Sequence, residues 1–232
     1  MSAARNLGLR HARAELVTFL DADDVFRPQA LETLAACLAA EPSAALAYGP
    51  VEYWFSWAPG GRGQPADFIQ ELGVAEGALI EPPGVLVRFL RRRAAVPSGV
   101  MVRTRIARAV GGFEETFRGM YEDQAFCAKV CLAWPVVTTS VSAYRYRQHA
   151  GSSSAAADRS GQPEYGRDVF LQWLEGYLDQ QGIHDGPVKE ALRREVWWLR
   201  HPRLLRFART LRRGRRRLAR RMRMHAAGFG AR

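Results

Sequence analysis

Two short acidic runs hold the residues of this chain best suited to chemistry. The first is Asp21-Ala22-Asp23-Asp24, which follows the apolar run ELVTFL at 15–20. Such a run predicts a strand buried on both faces. The carboxylates then stand at the strand's C-terminal end, where open α/β sheets bind ligands. Asp21 and Asp23, one residue apart, can point the same way. They offer hard oxygens to Mg²⁺ or Mn²⁺, which usually completes its shell with substrate phosphates. Aspartates ahead of a helix are also ordinary caps, so the triplet alone leaves both roles open. The second run is Glu122-Asp123, opening an amphipathic helix whose apolar side carries Ala125, Phe126, Cys127 and Val130. Adjacent helical residues point about 100° apart, so one acid can face a cleft while the other packs or caps. The helix macrodipole by itself also favours acids there. Upstream, Gly111-Gly112 predicts a tight turn that allows close approach of the backbone.

A third segment, AYRYRQHAGSSS at 143–154, alternates Tyr144 and Tyr146 with Arg145 and Arg147 and leads to His149. Alternation places both arginines on one face. That face is either the solvated side of an edge strand or a clasp for an anion such as a diphosphate. Tyr53, Trp54, Phe55 and Trp57 form an aromatic cluster suited to core packing or to stacking on a sugar ring.

Positioning these residues requires an ordered set of elements. The pattern predicts a helix at 2–14 capped by Ser2, the strand at 15–20, and a helix from Pro28 to about Ala40. A strand near 45–55, a long Gly- and Pro-rich loop at 57–84 and a short helix at 85–93 follow. Next come a strand at 98–102, a helical turn at 104–110, a helix at 121–133, and strands at 135–138 and 141–147. After a small, polar stretch at 151–163, helices are expected at 164–181, 187–199 and 203–223. This order points to an α/β body with a helical tail.

Composition fits one globular domain, alone or with an appendage: 232 residues, 47% hydrophobic and 25% charged. The net charge of +11 is local, because residues 193–223 hold fourteen arginines against one acid, Glu195. The body is near neutral, which excludes an all-over nucleic-acid footprint. The tail has one aromatic among its 203–223 arginines, Phe207, too few for a base-stacking strip, so nucleic acid is disfavoured as a partner. Leu204, Leu205, Phe207, Leu211, Leu218 and Met222 can instead form the apolar side of a basic helix on an anionic membrane surface. No apolar run is long enough to span a bilayer, and no signal peptide is evident. Cys127 and Cys131, four apart on a helix, read as packed thiols. A reducing, cytoplasmic location is expected, peripheral to the inner face of the membrane if the tail docks there.

Taken together, the segments AARNLGLRHARAELVTFLDADDVFRPQALE (3–32), PSGVMVRTRIARAVGGFEETFRGMYEDQAF (97–126) and YRYRQHAGSSS (144–154) resemble glycosyltransferase family 2. The two acidic motifs stand about 100 residues apart, in the family's order. The resemblance implies an α/β, GT-A-like (Rossmann-like) mixed sheet flanked by helices, with a C-terminal helical extension. It implies an inverting, metal-dependent hexosyltransferase that moves a sugar from a nucleoside diphosphate sugar to a glycan, lipid-linked or small-molecule acceptor, as in polysaccharide biosynthesis. Asp23, helped by Asp21, would hold the Mg²⁺ or Mn²⁺. Asp123 would be the general base, with Glu122 in support. Arg5 would lie against the nucleotide, Gly112 would shape the acceptor side, and Arg147 and His149 would flank the diphosphate. The expected division is a glycosyltransferase domain at 1–154, a helical extension at 155–200 and a basic tail at 201–232. Family members begin with further strands that hold the nucleotide base, whereas here Met1 runs directly into SAARN. The resemblance therefore implies an N-terminally truncated domain, inactive and unstable alone. The alternative is a catalytically silent binding module acting through the tail.

Overall fold

A computed structural model describes residues 1–58, 65–117, 120–152 and 162–202, with isolated positions at 155, 159 and 204. The expected tail helix at 203–223 and most of the polar stretch at 151–163 lie outside the described residues. By contacts the chain divides into two units, Met1–Leu192 and Arg193–Arg232.

The first unit opens with helix α1 (Ser2–His11), strand β1 (Leu16–Thr18), β2 (Val25–Phe26) and α2 (Ala30–Ala40). Then come β3 (Leu46–Tyr48), β4 (Glu52–Trp54), β5 (Phe68–Ile69), β6 (Leu79–Ile80), α3 (Gly84–Leu90) and β7 (Met101–Arg103). Helices α4 (Thr104–Ala109) and α5 (Glu122–Ala133), strands β8 (Val136–Thr138) and β9 (Tyr144–Arg147), and helix α6 (Gln162–Gln180) follow. Helix α7 (Gly186–Arg200) begins in this unit and runs into the second. In the second unit the Trp197 ring meets Trp198 edge-on at 4.9 Å and stacks on His201 at 4.3 Å.

Two mixed sheets result. The larger runs β1-β7-β3-β8-β6, with only β3 and β8 parallel. The smaller runs β2-β9-β4-β5, with β4 and β9 parallel. Helix α2 supplies the core's helical wall. Its Ala30, Leu34 and Leu38 recur every fourth residue, share one face and pack on Ala44, Ala47, Met101 and Val137. Strand β3 is buried on both faces, as a central strand must be.

Several expectations change here. ELVTFL forms a strand of only three residues, half-buried at the edge of the larger sheet, with β7 as its partner among the described residues. Conversely, β9 is interior to the smaller sheet and not an edge strand. The strand expected at 45–55 is two strands in different sheets, separated at Gly49-Pro50, because proline cannot continue the ladder. The stretch read as one long loop contains β5 and β6, both too short to show a period. Ser2 begins α1 without capping it, and its Oγ is buried with no partner.

Arg103, at the end of β7, ties the sheet to its neighbours. Its guanidinium donates to Ala44 O (2.9 Å) and Leu38 O (2.8 Å) and to Glu15 Oε1 (2.7 Å). Leu38 lies in the last turn of α2, where carbonyls lack helical partners. Arg103→Met keeps an unbranched stem but removes the guanidinium and strands both carbonyls. At about 1–3 kcal/mol for each buried group left unsatisfied, a loss of roughly 2–4 kcal/mol is expected in chemical denaturation, at unchanged m-value.

Candidate functional site

The turn after β1 and the start of α5 meet in one cleft. The cleft is open to solvent on one side and is lined by Arg5, Asp21, Asp24, Ser98, Asp123 and Tyr144, together with Phe19, Phe113 and Phe126. The residues that join the two acidic motifs lie on α1. Arg5 donates through Nη2 to Asp21 Oδ1 (2.5 Å) and through Nη1 to Glu122 Oε1 (3.1 Å). Its guanidinium also stands 5.2 Å from the Phe113 ring centre. Arg5 is thus held by both motifs at once, and it neutralises Glu122, which is 5% exposed and whose Oε2 has no partner.

Beneath Arg5, Phe113 stacks on Phe126 at 4.4 Å and meets Phe19 edge-on at 4.8 Å. Phe113 is carried by the Gly111-Gly112 turn, whose two glycines adopt φ 78 and 67, a region that side chains rarely enter. Asn6 clamps that turn. Its Oδ1 accepts from Phe113 N and its Nδ2 donates to Phe113 O, both at 2.8 Å. Sequence reasoning passed over Asn6, although its place one residue after Arg5 on a helix was visible. Gly112 itself lines a separate hollow with Asn6, Leu9, Arg10 and Arg108, and only Phe113 of this turn reaches the cleft.

The two acids of α5 diverge as helical geometry requires. Glu122 turns to Arg5, and Asp123 lines the cleft. Burial, then the neighbouring Glu122, push the Asp123 carboxyl up to about 6, against the opposing hydrogen bond from Gln124 N (2.7 Å) and the charge of Arg5. Below the helix, burial holds the Cys127 and Cys131 thiols in their neutral form, the latter at about 12, so neither is a nucleophile. Lys129 is 2% exposed on the same helix and is neutralised by Glu114 Oε1 at 2.7 Å.

The three aspartates at 21–24 have three different settings. Asp21 pairs with Arg5. Asp23 Oδ2 lies 3.0 Å from His149 Nε2, and that hydrogen bond holds its carboxyl below the usual range. Asp24 is buried and accepts from Arg147 N (2.9 Å), and burial raises it to about 6. Their partners arrive on and just after β9. The Arg147 guanidinium lies 5.4 Å from the centre of the Trp54 ring and 5.0 Å from that of Trp57, and its Nε is buried without a partner. Trp57 also stands edge-on to His149 at 6.1 Å. Arg145 also stands over Trp54, at 5.3 Å, and pairs with Glu52 Oε2 (3.0 Å), an acid shared with Arg27 (3.2 Å). Tyr53 stacks on Phe68 at 4.7 Å within the smaller sheet.

Of the residues singled out in the sequence, Arg5, Asp21 and Asp123 line one cleft and Glu122 is bonded to Arg5, whereas Asp23 and His149 are bonded to each other and stand outside its lining. Asp21 and Asp23 are each about two-fifths exposed, with one oxygen of each already engaged, by Arg5 and by His149. Among the described residues no three His, Cys, Asp or Glu side chains gather as a metal cluster would. A pair of carboxylates is too few for a structural zinc site. It suits a cation such as Mg²⁺ or Mn²⁺ that takes its remaining ligands from water and phosphate.

Residues 1–176 match the family described as "Glycosyltransferase like family 2". Comparison with curated proteins gives no match. Among solved structures, the fold is similar to that of S. aureus TarS residues 1–349 in complex with UDP-GlcNAc: TM-score 0.52 and 20% identity, over 68% of this chain and 41% of that chain. Another structure of S. aureus TarS aligns with a TM-score of 0.47 and 21% identity, over 64% of this chain and 24% of that chain. The chain thus spans well under two-thirds of either.

Proposed function

We propose that this chain, which belongs to the family 2-like glycosyltransferases, moves a hexosyl group from a nucleoside diphosphate sugar to an acceptor hydroxyl, with inversion and with a divalent cation. The observation that carries the reading is the meeting of Asp21 and Asp123, about 100 residues apart in sequence, in one cleft across Arg5. The GT-A fold shared with a protein solved with UDP-GlcNAc supports a nucleotide-sugar donor.

In this reading Asp123 takes the proton of the acceptor hydroxyl as its oxygen attacks the anomeric carbon. The bond from that carbon to the diphosphate oxygen breaks on the opposite side. A carboxyl near 6 is ionised at neutral pH yet still basic enough to accept the proton. Asp23 and Asp21 would hold Mg²⁺ or Mn²⁺, which when bound neutralises charge on the departing diphosphate. Arg147 and His149 flank that position, and Arg147 retains a buried donor, Nε, without a partner. Arg5 keeps Glu122 and Asp21 from repelling a second negative charge in the cleft. Isothermal titration with a panel of nucleoside diphosphates, with and without Mn²⁺, tests the reading. Metal-dependent binding supports it, and binding that follows ionic strength alone, whatever the polyanion, contradicts it.

The Arg-rich stretch at 203–223 belongs to the same proposal as a contact for an anionic membrane surface, which would keep the enzyme beside lipid-linked acceptors. Each basic residue near such a surface contributes about 1 kcal/mol before screening. No described helix is long and apolar enough to cross a membrane. Cosedimentation with phosphatidylserine vesicles but not with neutral vesicles is expected, and equal sedimentation with both removes the membrane from the proposal.

A further inference from the structure

The residue immediately before the acidic pair has an unusual backbone. Tyr121 is left-handed, with φ 74, and is 8% exposed. A non-glycine residue keeps that conformation only when its surroundings impose it. Here the surroundings are helix α6. The Tyr121 ring stacks on Phe170 at 5.8 Å, and Phe170 is fully buried. One turn earlier on the same face of α6, Gly166 leaves the space the ring occupies: a Cβ there would come within 2.7 Å of Tyr121 Cε2. The stack continues from Phe170 to Trp173 (6.1 Å) and from Trp173 to Tyr177 (5.3 Å). Phe117, from the loop leading into α5, meets Trp173 edge-on at 5.7 Å. Helix α6 therefore grips both Phe117 and Tyr121.

We infer that α6 is a brace for the acidic pair, with Tyr121, Gly166 and Phe170 as positioning residues that set the direction in which Asp123 enters the cleft. The inference rests on the reading of Asp123 as the base. The physical reason is short range. Left-handed geometry at Tyr121 turns the chain sharply into the first turn of α5, and Asp123 is two residues on. If the ring is displaced, φ relaxes towards the ordinary helical region and the carboxylate swings with it. Misplacement by about 1 Å can cost roughly 100-fold in rate. Tyr121, Gly166 and Phe170 reach the Asp21 turn only indirectly, through Glu122 and Arg5, so donor binding should change far less than turnover.

The experiment compares Gly166→Ala, Tyr121→Leu and Tyr121→Phe with the unaltered chain, under the conditions in which the latter turns over a sugar nucleotide. Gly166→Ala and Tyr121→Leu should lower kcat about tenfold or more, with KM for the donor within about twofold. Tyr121→Phe, which keeps the ring, should restore kcat to within about twofold. If Gly166→Ala does not fold, Phe170→Leu serves in its place, since it empties the stack rather than crowding it. Amide exchange at Ala125, whose N–H donates to Tyr121 O at 2.9 Å, gives a readout that needs no turnover and should quicken in the same variants. Folded variants with unchanged kcat and unchanged exchange overturn the brace. If exchange quickens but no form of the chain, unaltered included, turns over any sugar nucleotide, the brace stands and the transfer reading falls.

Discussion

Asp123→Asn should lose about 10²–10⁴-fold in turnover while binding the donor as the unaltered chain does. Asparagine keeps the shape and can still accept from Gln124 N, but it cannot take a proton. The rate of the unaltered protein should fall below about pH 6 as Asp123 becomes protonated, and that acid limb should vanish from the residual activity of the variant. Stability should move the other way. The folded protein holds this proton more tightly than the unfolded chain, so its contribution is complete below about pH 4 and is lost as pH rises through 6. Asparagine behaves like the protonated acid at every pH. Above pH 6 the variant should therefore be more stable, by on the order of 2 kcal/mol, and the difference should close below pH 4. Thermal melts at pH 4 and pH 7.5 measure it. If Glu122→Gln is the more damaging change and Asp123→Asn is mild, the two acids exchange roles.

Asp23→Ala should abolish the metal-dependent part of nucleoside diphosphate binding. Loss of a partner that merely orients a ligand typically costs 10–100-fold in metal affinity, so loss of a direct ligand should cost at least roughly 100-fold. The carboxylate is suited to the task, because the His149 hydrogen bond keeps it ionised to lower pH than an ordinary aspartate. It also stands on a turn rather than in the core, so little folding stability should go with it. Titration of a nucleoside diphosphate with and without Mn²⁺ into both proteins is the measurement. Equal metal dependence in the two would take Asp23 out of the site and leave Asp21 and Asp24, which line the cleft, as the carboxylates of this turn.

Much of the fold was legible in the sequence because periodicity and punctuation are local. Pro28 marked the approach to α2, and the run from Ala45 marked a strand. Gly111-Gly112 marked a tight turn. The acidic pair at the head of α5 was readable for the same reason, since a 100° step between neighbours needs no tertiary information. Short elements escaped: β5 and β6 have two residues each, and a period cannot be read from two residues. Strand position escaped as well. Whether β9 is an edge or an interior strand depends on β2 and β4, which come from distant parts of the chain and meet it only when folded.

The sequence by itself determined the residue types of the site and their order along the chain, because carboxylates, glycines and arginines carry their chemistry wherever they stand. Only the tertiary structure decided which of them act on one another. It placed Arg5 between Asp21 and Glu122, His149 on Asp23, and Asn6 across the glycine turn. It also raised the Asp123 carboxyl to about 6 by burying it beside a second acid. A charge's free energy depends on the solvent removed from it and on the charges within a few ångströms. The second acid is a sequence neighbour, but the burial and the opposing charge of Arg5 come from residues about a hundred positions away, which no local pattern records.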